Sequence, residues 1–508
     1  MRKFFQTVAL VSVFSISEKI LGFLYRIFLS HSIGAEGIGL YSVALSVFGL
    51  LYTLCCSGIP ITVSRLMTKY RAEKNEKRVT KTITAGICLA LLFSIPVCLL
   101  FLLSGNAFSF LFADERSHKI FLIILPGLTF TCVYSVLRGV FWGNKDFLPY
   151  SVIELLEEIC MILVGIVLIT FSAGVTQGAL SAGIAVLVSY LFSFSLATAV
   201  FFVRKNKLKN PLSEFKPLLR SAMPITAMRS ASSFAISLVS VIVPLRLISA
   251  GYTQAQTMSS YGAVVGQALP ILSIPTTLIG SFTLVLIPEI AENFYNKRHF
   301  YLKRDVEKAV KFTCLLTTFF IPVFFVCGEE IGVIFFGEHQ CGKYITATSY
   351  LMIFMSLCSL STSILNSMGL ETKTLIYYVI GGVLMLASVW FLPKYVGIYS
   401  LLIGFTFVYG LTTVLNFRLL NKSCTKKPQY VKFLLLAIAT TIPTCVFGIF
   451  LEKLLLPVLG TVLTLFCCSA LIVAFNVAMF FGFGLITFKQ MLKNVRKILK
   501  KQPTTKVS

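Results

Sequence analysis

Among the ionisable side chains inside apolar stretches, where a charge needs a reason, are Glu18, Lys19, Arg26, Glu154, Glu157, Glu158, Arg229 and Arg246. A charge near the middle of a bilayer costs at least about 2.5 kcal/mol by insertion scales. On a helix, Ser12, Ser15, Lys19, Gly22, Arg26 and Ser30 recur at steps of three and four and share one face. A span that keeps such a stripe turns it towards a polar cavity and away from lipid. Thr226, Arg229, Ser233, Ser237 and Ser240 form a second stripe. Arg246 lies beyond Pro244, whose kink leaves open whether it shares that face. Arginine binds phosphate through paired donors, so Lys19, Arg26, Arg229 and Arg246 are candidate ligands for an anionic head group. Snorkelling to the membrane interface is the alternative reading for each.

The acids suggest different chemistry. Glu18 lies about 100° round the helix from Lys19. It can pair with a cation on a neighbouring span, or bind a coupling proton or Na⁺. Glu154, Glu157 and Glu158 open a later span. Glu154 and Glu158 share a face at i, i+4, an arrangement that suits a shared proton, and equally a solvated helix end. Enzyme signals are weak. His31, His118, His299 and His339 are far apart, expected in loops, and show no metal-ligand spacing. There is no nucleophile elbow, phosphate loop or paired acidic cluster in a basic loop. Gly34, Gly37 and Gly39 read as a turn between two apolar spans. No metal and no cofactor is expected beyond a coupling H⁺ or Na⁺.

These residues need a frame of membrane helices. The chain has 508 residues, is 56% hydrophobic and only 13% charged. A soluble protein carries roughly twice that charge fraction. The charges gather in islands between apolar runs of about 20 residues, the length that crosses a hydrocarbon core of roughly 30 Å. The class is an all-α polytopic membrane protein. The start, Met-Arg-Lys-Phe-Phe, resembles a signal peptide, but the apolar run behind it is long and interrupted by charge, so it reads as a retained first span. The fourteen cysteines lie mostly in apolar runs and read as apolar filler.

About fourteen spans are expected: Phe4–Ser30, Gly39–Ser64, Ile83–Leu103, Ile120–Phe141, Val152–Phe171, Ala179–Val203, Leu218–Ile248, Met258–Ile287, Ala309–Cys327, Tyr344–Met368, Leu375–Leu392, Ile398–Leu419, Phe433–Leu451 and Pro457–Phe488. The connecting loops alternate between two kinds. One set is rich in Lys and Arg, from Arg65 to Lys81, Arg204 to Lys209, Lys297 to Arg304, Lys422 to Lys427 and Lys489 to Lys506. The other is nearly bare of basic residues. The positive-inside rule then places both termini in the cytoplasm. The net charge of +25 is an orientation signal and a contact for anionic lipid, and not a nucleic-acid footprint.

An internal repeat is visible. Arg26 is followed fifteen residues later by Tyr41, and Arg246 fifteen residues later by Tyr261. An offset of about 220 residues makes spans one and seven equivalent. With six spans per copy the repeats are parallel. The expected organisation is an N-terminal lobe at 1–203, a cytoplasmic linker at 204–217, a C-terminal lobe at 218–420, two extra helices at 421–488 and a basic tail at 489–508. The simplest assembly packs two halves about a central cationic cavity.

Several motifs together resemble the polysaccharide transporter branch of the multidrug/oligosaccharidyl-lipid/polysaccharide exporter superfamily. They are Lys19 and Arg26 around Gly22-Phe23, Gly34-Ala-Glu-Gly-Ile-Gly-Leu-Tyr41, Ser57-Gly-Ile-Pro-Ile-Thr-Val-Ser-Arg65 and Leu137-Arg-Gly-Val-Phe-Trp-Gly-Asn144. The second half adds Pro224-Ile-Thr-x-x-Arg229, Pro244-Leu-Arg-Leu247 and Tyr261-Gly262. The resemblance spans nearly the whole chain. One departure stands out: the family often places a basic residue soon after the Glu157 position, where Ile159-Cys160-Met161 follows here. The resemblance implies two six-helix lobes facing each other, with two extra helices. It also implies an alternating-access flippase of the bacterial plasma membrane. Its substrate would be a lipid-linked polysaccharide or peptidoglycan precursor, with spore cortex synthesis as one setting. The expected partners are that anionic substrate, membrane lipids and a cell-wall synthase. The alternative is a drug/cation antiporter of the same fold, which favours an acidic and aromatic cavity. A membrane glycosyltransferase needs acid, base or metal groups that the chain does not display.

Overall fold

The computed structural model describes residues 2–204, 207–424 and 428–483. The basic tail at 489–508, the end of the last expected span, Lys205, Lys426 and Lys427 lie outside the described residues. Among the described residues every regular element is helical. Contacts gather the chain into two units, Met1–Gln267 with Leu386–Leu401, and Ala268–Met385 with Leu402–Ser508.

The first unit holds α1 (Arg2–Cys56), α2 (Ile59–Ala72), α3 (Glu76–Leu103), α4 (Glu115–Ile124), α5 (Gly127–Gly143), α6 (Phe147–Thr170), α7 (Val175–Val203), α8 (Leu212–Ser249) and α9 (Gln254–Tyr261). A π-helical turn, Gly262–Ala268, follows α9. Further along the chain come α10 (Leu269–Leu272), α11 (Ile274–Tyr295), α12 (His299–Val326), α13 (Gly328–Phe336), α14 (His339–Thr348), α15 (Leu351–Ser367), α16 (Glu371–Phe391), α17 (Pro393–Val396), α18 (Ser400–Phe405), α19 (Thr412–Ser423) and α20 (Tyr430–Gly482). The span that the sequence sets at the head of the C-terminal lobe, α8, belongs by its contacts to the first unit.

Eight helical stretches among the described residues are long and apolar enough to cross a bilayer, or ten if each sharply bent pair is one span. The expected count of fourteen is not confirmed on this measure. Two long helices each run through two expected spans. In α1 the break is one residue, Gly34, at φ 66° and ψ 178°. Only glycine takes that left-handed conformation without strain, so two arms meet there with no loop between them. The break in α20 is Gly460. A third helix, α6, is apolar but carries three glutamates. Pro60 sits in the first turn of α2, where its missing N–H costs no bond.

The internal repeat is written into helix lengths. The bent pair α4 and α5 has 10 and 17 residues, and α14 and α15 also have 10 and 17. Their starts lie 224 residues apart, at 115 and 339 and at 127 and 351. The pairs bend by 47° and 59°. Helices α3 and α12 both have 28 residues.

Two polar ties hold α1, α2 and α8 in place. Near the α1 bend, Arg116 meets Glu36 at 2.7 Å and the buried Asp114 at 2.8 Å. At the opposite end of α2, buried Glu214 of α8 accepts from Tyr70 at 2.9 Å and from Arg78 of α3 at 2.8 Å. The four histidines, expected in loops, lie in helices instead: His31 in α1, His118 in α4, and His299 and His339 at the starts of α12 and α14. Polar, charged helical turns carry three of them: α4 opens Glu-Arg-Ser-His, α12 His-Phe-Tyr-Leu-Lys-Arg and α14 His-Gln-Cys-Gly-Lys. All fourteen cysteines are free.

Candidate functional site

The three glutamates of α6 fall within little more than one turn of an otherwise apolar helix. Helix α6 packs against α1 and α7. Glu154, Glu157 and Glu158 line a cavity of about 550 Å³ inside the first unit. Glu18 from the first arm of α1 reaches the same cavity. The four coupling-ion candidates are therefore neighbours, although more than 130 residues separate Glu18 from the rest. The walls are aromatic: Phe48 and Tyr52 from the second arm of α1, Tyr134 from α5 and Tyr190 from α7.

One cation faces this acidic group, and sequence reasoning gave it no role. Arg138 of α5 donates Nη1 to Glu154 Oε1 at 3.0 Å. Its guanidinium lies 5.2 Å from the Trp142 ring centroid, within cation–π range. Its other terminal nitrogen reaches the Tyr52 hydroxyl at 3.5 Å. Glu154 thus takes its cation from the preceding helix. The signal for it was an arginine in the apolar run Leu137-Arg-Gly-Val-Phe-Trp.

The cationic candidates lie on other faces. Lys19, Gly22 and Arg26 share one side of α1. Glu158 Oε1 sits 3.0 Å from the place a Gly22 Cβ would take. A side chain there would displace it. Glu158 is thereby held within electrostatic reach of both Lys19 and Arg26. Lys19 is exposed. Arg26 donates Nη1 to the Gly266 carbonyl at 2.7 Å. That carbonyl belongs to the π-helical turn, a widened geometry frequent at functional sites. Gln267 of the same turn donates to Ser30 at 2.7 Å, one helical turn beyond Arg26. So the later part of the α1 stripe, Arg26 and Ser30, is bonded to the segment after α9.

The α8 stripe packs along the second arm of α1 and the start of α2. Thr226 accepts from the Gly58 N–H at 3.1 Å, and Ser233 donates to Thr53 at 3.1 Å. Ser237 donates to the Ser46 carbonyl at 2.9 Å, and Ser240 to the Ser46 hydroxyl at 2.7 Å. Hydroxyls in apolar surroundings take the nearest partner, and here that partner is the neighbouring helix. Arg229 stays exposed and donates to the Ser57 carbonyl at 3.4 Å. Arg246 stands apart, about 25 Å farther along α8 at 1.5 Å per residue. It lies over the Trp390 ring at 4.7 Å and donates to the Trp390 carbonyl at 2.9 Å. Structure therefore sets Glu158 within electrostatic reach of Lys19 and Arg26, and leaves Arg246 at a separate contact. No group of His, Cys, Asp and Glu among the described residues is arranged to hold a metal ion.

Known proteins share this architecture. A solved structure of the lipid II flippase MurJ in an inward closed conformation matches with a TM-score of 0.73 at 16% identity, covering 94% of this chain and all of that one. An inward-facing multidrug resistance MATE family transporter of the MOP superfamily matches with a TM-score of 0.65 at 15% identity, over 79% of this chain and 93% of that one. Among curated proteins, stage V sporulation protein B of Bacillus subtilis (strain 168) is 23% identical over 72% of each chain. Lipid II flippase MurJ of the same organism is 22% identical over 73% of each. The helical architecture is that of MurJ and the MATE transporters. The family model for polysaccharide biosynthesis proteins matches residues 4–294, more than half of the chain, and the protein is a member of that family.

Proposed function

We propose that the protein is an alternating-access flippase that moves a lipid-linked polysaccharide or peptidoglycan precursor across the bacterial plasma membrane, with spore cortex synthesis as one setting. Support comes from the family membership and from relatives whose names state lipid II flipping and sporulation. The observation that carries the reading to the site is the Lys19–Gly22–Arg26 face of α1. It is a cationic strip on a span, with Glu158 beside it and Arg26 held by the Gly266 carbonyl. Such a strip suits a diphosphate. Arg229 would add to it, and the isoprenoid tail would remain in lipid. A ligand preference of a few kcal/mol between two states is enough to redistribute them. Both termini are placed in the cytoplasm by the loop charges, with lobes at 1–203 and 218–420. A cell-wall synthase is the natural partner to consume the product.

The test is flipping of a labelled lipid-linked precursor in liposomes. Wild type should move it, and Arg26→Ala should not. Equal rates for the two would remove the cationic strip from the mechanism. Coupling to H⁺ or Na⁺ is assigned to Glu18 and the α6 glutamates. Glu18→Gln should then change the pH or Na⁺ dependence of flipping; an unchanged dependence would reduce Glu18 to a packing residue.

A second reading has its own observation. The acidic, tyrosine-lined cavity is the kind of site a drug/cation antiporter of this fold favours. Uptake of a lipophilic cationic dye into proteoliposomes, with no flipping of the lipid-linked precursor, would decide for it.

A further inference from the structure

We infer that the cavity of the first unit is a subsite for a protonated amine carried by the transported head group, while the phosphates lie at Lys19 and Arg26. This deepens the flippase reading and rests on it. Four carboxylates meet one guanidinium in the cavity. Only Glu154 among them has an ion-pair partner among the described residues. The lining also carries the aromatic rings of Phe48, Tyr52, Tyr134 and Tyr190, whose faces attract an ammonium by their quadrupole. Tyr134 is 4% exposed, lines the cavity, and its hydroxyl has no hydrogen-bond partner among the described residues. It is an acceptor waiting for an N–H donor. At about 550 Å³ the space falls within the range of small-ligand sites, about 300–1,000 Å³.

A divalent metal cation is a poor fit, since it needs several oxygens closing round it and no group of His, Cys, Asp and Glu among the described residues is so arranged. An ammonium uses both kinds of wall. The link to the head group comes from Glu158. It lines the cavity and also lies against Gly22, between Lys19 and Arg26. The phosphate strip and the cation subsite therefore share Glu158, so one head group bearing both a diphosphate and an amine could meet both. H⁺ or Na⁺ would compete with the amine for the same carboxylates, which ties release of the amine to uptake of the coupling ion.

The experiment uses the full chain in lipid nanodiscs and two probes that differ by one charge: undecaprenyl diphosphate bearing glucosamine, and the same lipid bearing N-acetylglucosamine. The amine should bind at least about tenfold more tightly in wild type, and Glu157→Gln should cut that preference to within about threefold. Glu18→Gln serves as the second variant if Glu157→Gln does not fold. Equal binding of the two probes, binding of neither, or an undiminished preference in the folded variants would overturn the subsite. Flipping is read separately in liposomes. Movement of both lipids at equal rates, with equal binding, removes the amine subsite and leaves the flippase reading standing. A clear amine preference in binding with no movement of either lipid keeps the subsite and removes the flippase reading.

Discussion

The bent pair α4 and α5 of the first unit and its counterpart α14 and α15 of the second share a form, while the residues at matching positions there and in the helices that follow differ in chemistry. The bent pairs match residue for residue in length. At the common offset of 224, Tyr134 and Arg138 correspond to Cys358 and Thr362, and Glu154, Glu157 and Glu158 to Tyr378, Gly381 and Gly382. The scaffold was thus duplicated whole, while the acid cluster and its arginine stand in one copy alone. Helix length, bend and packing tolerate such divergence because they depend on apolar pattern and small residues. Carboxylates in an apolar helix persist only where neighbouring helices give them partners or a polar space. A cavity with charged walls is therefore something one copy could hold without the other.

The sharpest way to break the comparison is at the repeated arginines. Arg26→Ala should reduce flipping to background, a loss of at least about 100-fold, with membrane levels unchanged. Its repeat partner behaves differently: Arg246→Ala should keep at least about half of the wild-type rate, because its bonds go to Trp390 at a separate contact. Equal loss in both would restore symmetry of function between the repeats.

Next in size is Arg138→Thr, which gives the first copy the residue of the second. It strips Glu154 of its partner and should destabilise the protein by about 1–3 kcal/mol in denaturant titrations. Adding Glu154→Gln should recover much of that loss, since no buried charge is then left over. A double variant no better than the single would mean that the pair has no energetic coupling.

Arg116→Ala removes the anchor at the α1 bend from buried Asp114 and from Glu36. A loss of about 1–2 kcal/mol is expected, with amine preference unchanged. The smallest effect should come from Tyr378→Phe, at the second-copy position of Glu154. Flipping within about twofold of wild type is expected, as for substitutions away from charged or strained sites. A large loss there would show that the second copy carries chemistry of its own.

Much was legible in the chain before any coordinates. Spans show in hydropathy, and a 20-residue apolar run has few alternatives to a helix. The repeat shows in Arg26–Tyr41 and Arg246–Tyr261. The ionisable residues at issue stand out because charge inside an apolar run is costly. Their partners were hidden for a physical reason. A helix exposes its side chains all round, and spacing gives a shared face without saying what that face meets. The α8 hydroxyls looked like a cavity lining and are a seam against α1. Glu18 read as a partner for a cation on a neighbouring span or as a coupling-ion site, and it shares a cavity with the α6 glutamates. Arg138 looked like one residue of a motif and is the cation of the cavity. Sequence by itself determined that helices cross a membrane, that they come in two copies and which residues are charged within them. Only tertiary structure decided who meets whom, because those contacts depend on helix rotation and on breaks such as Gly34, which are set by packing across neighbouring helices and leave no periodic trace along the chain.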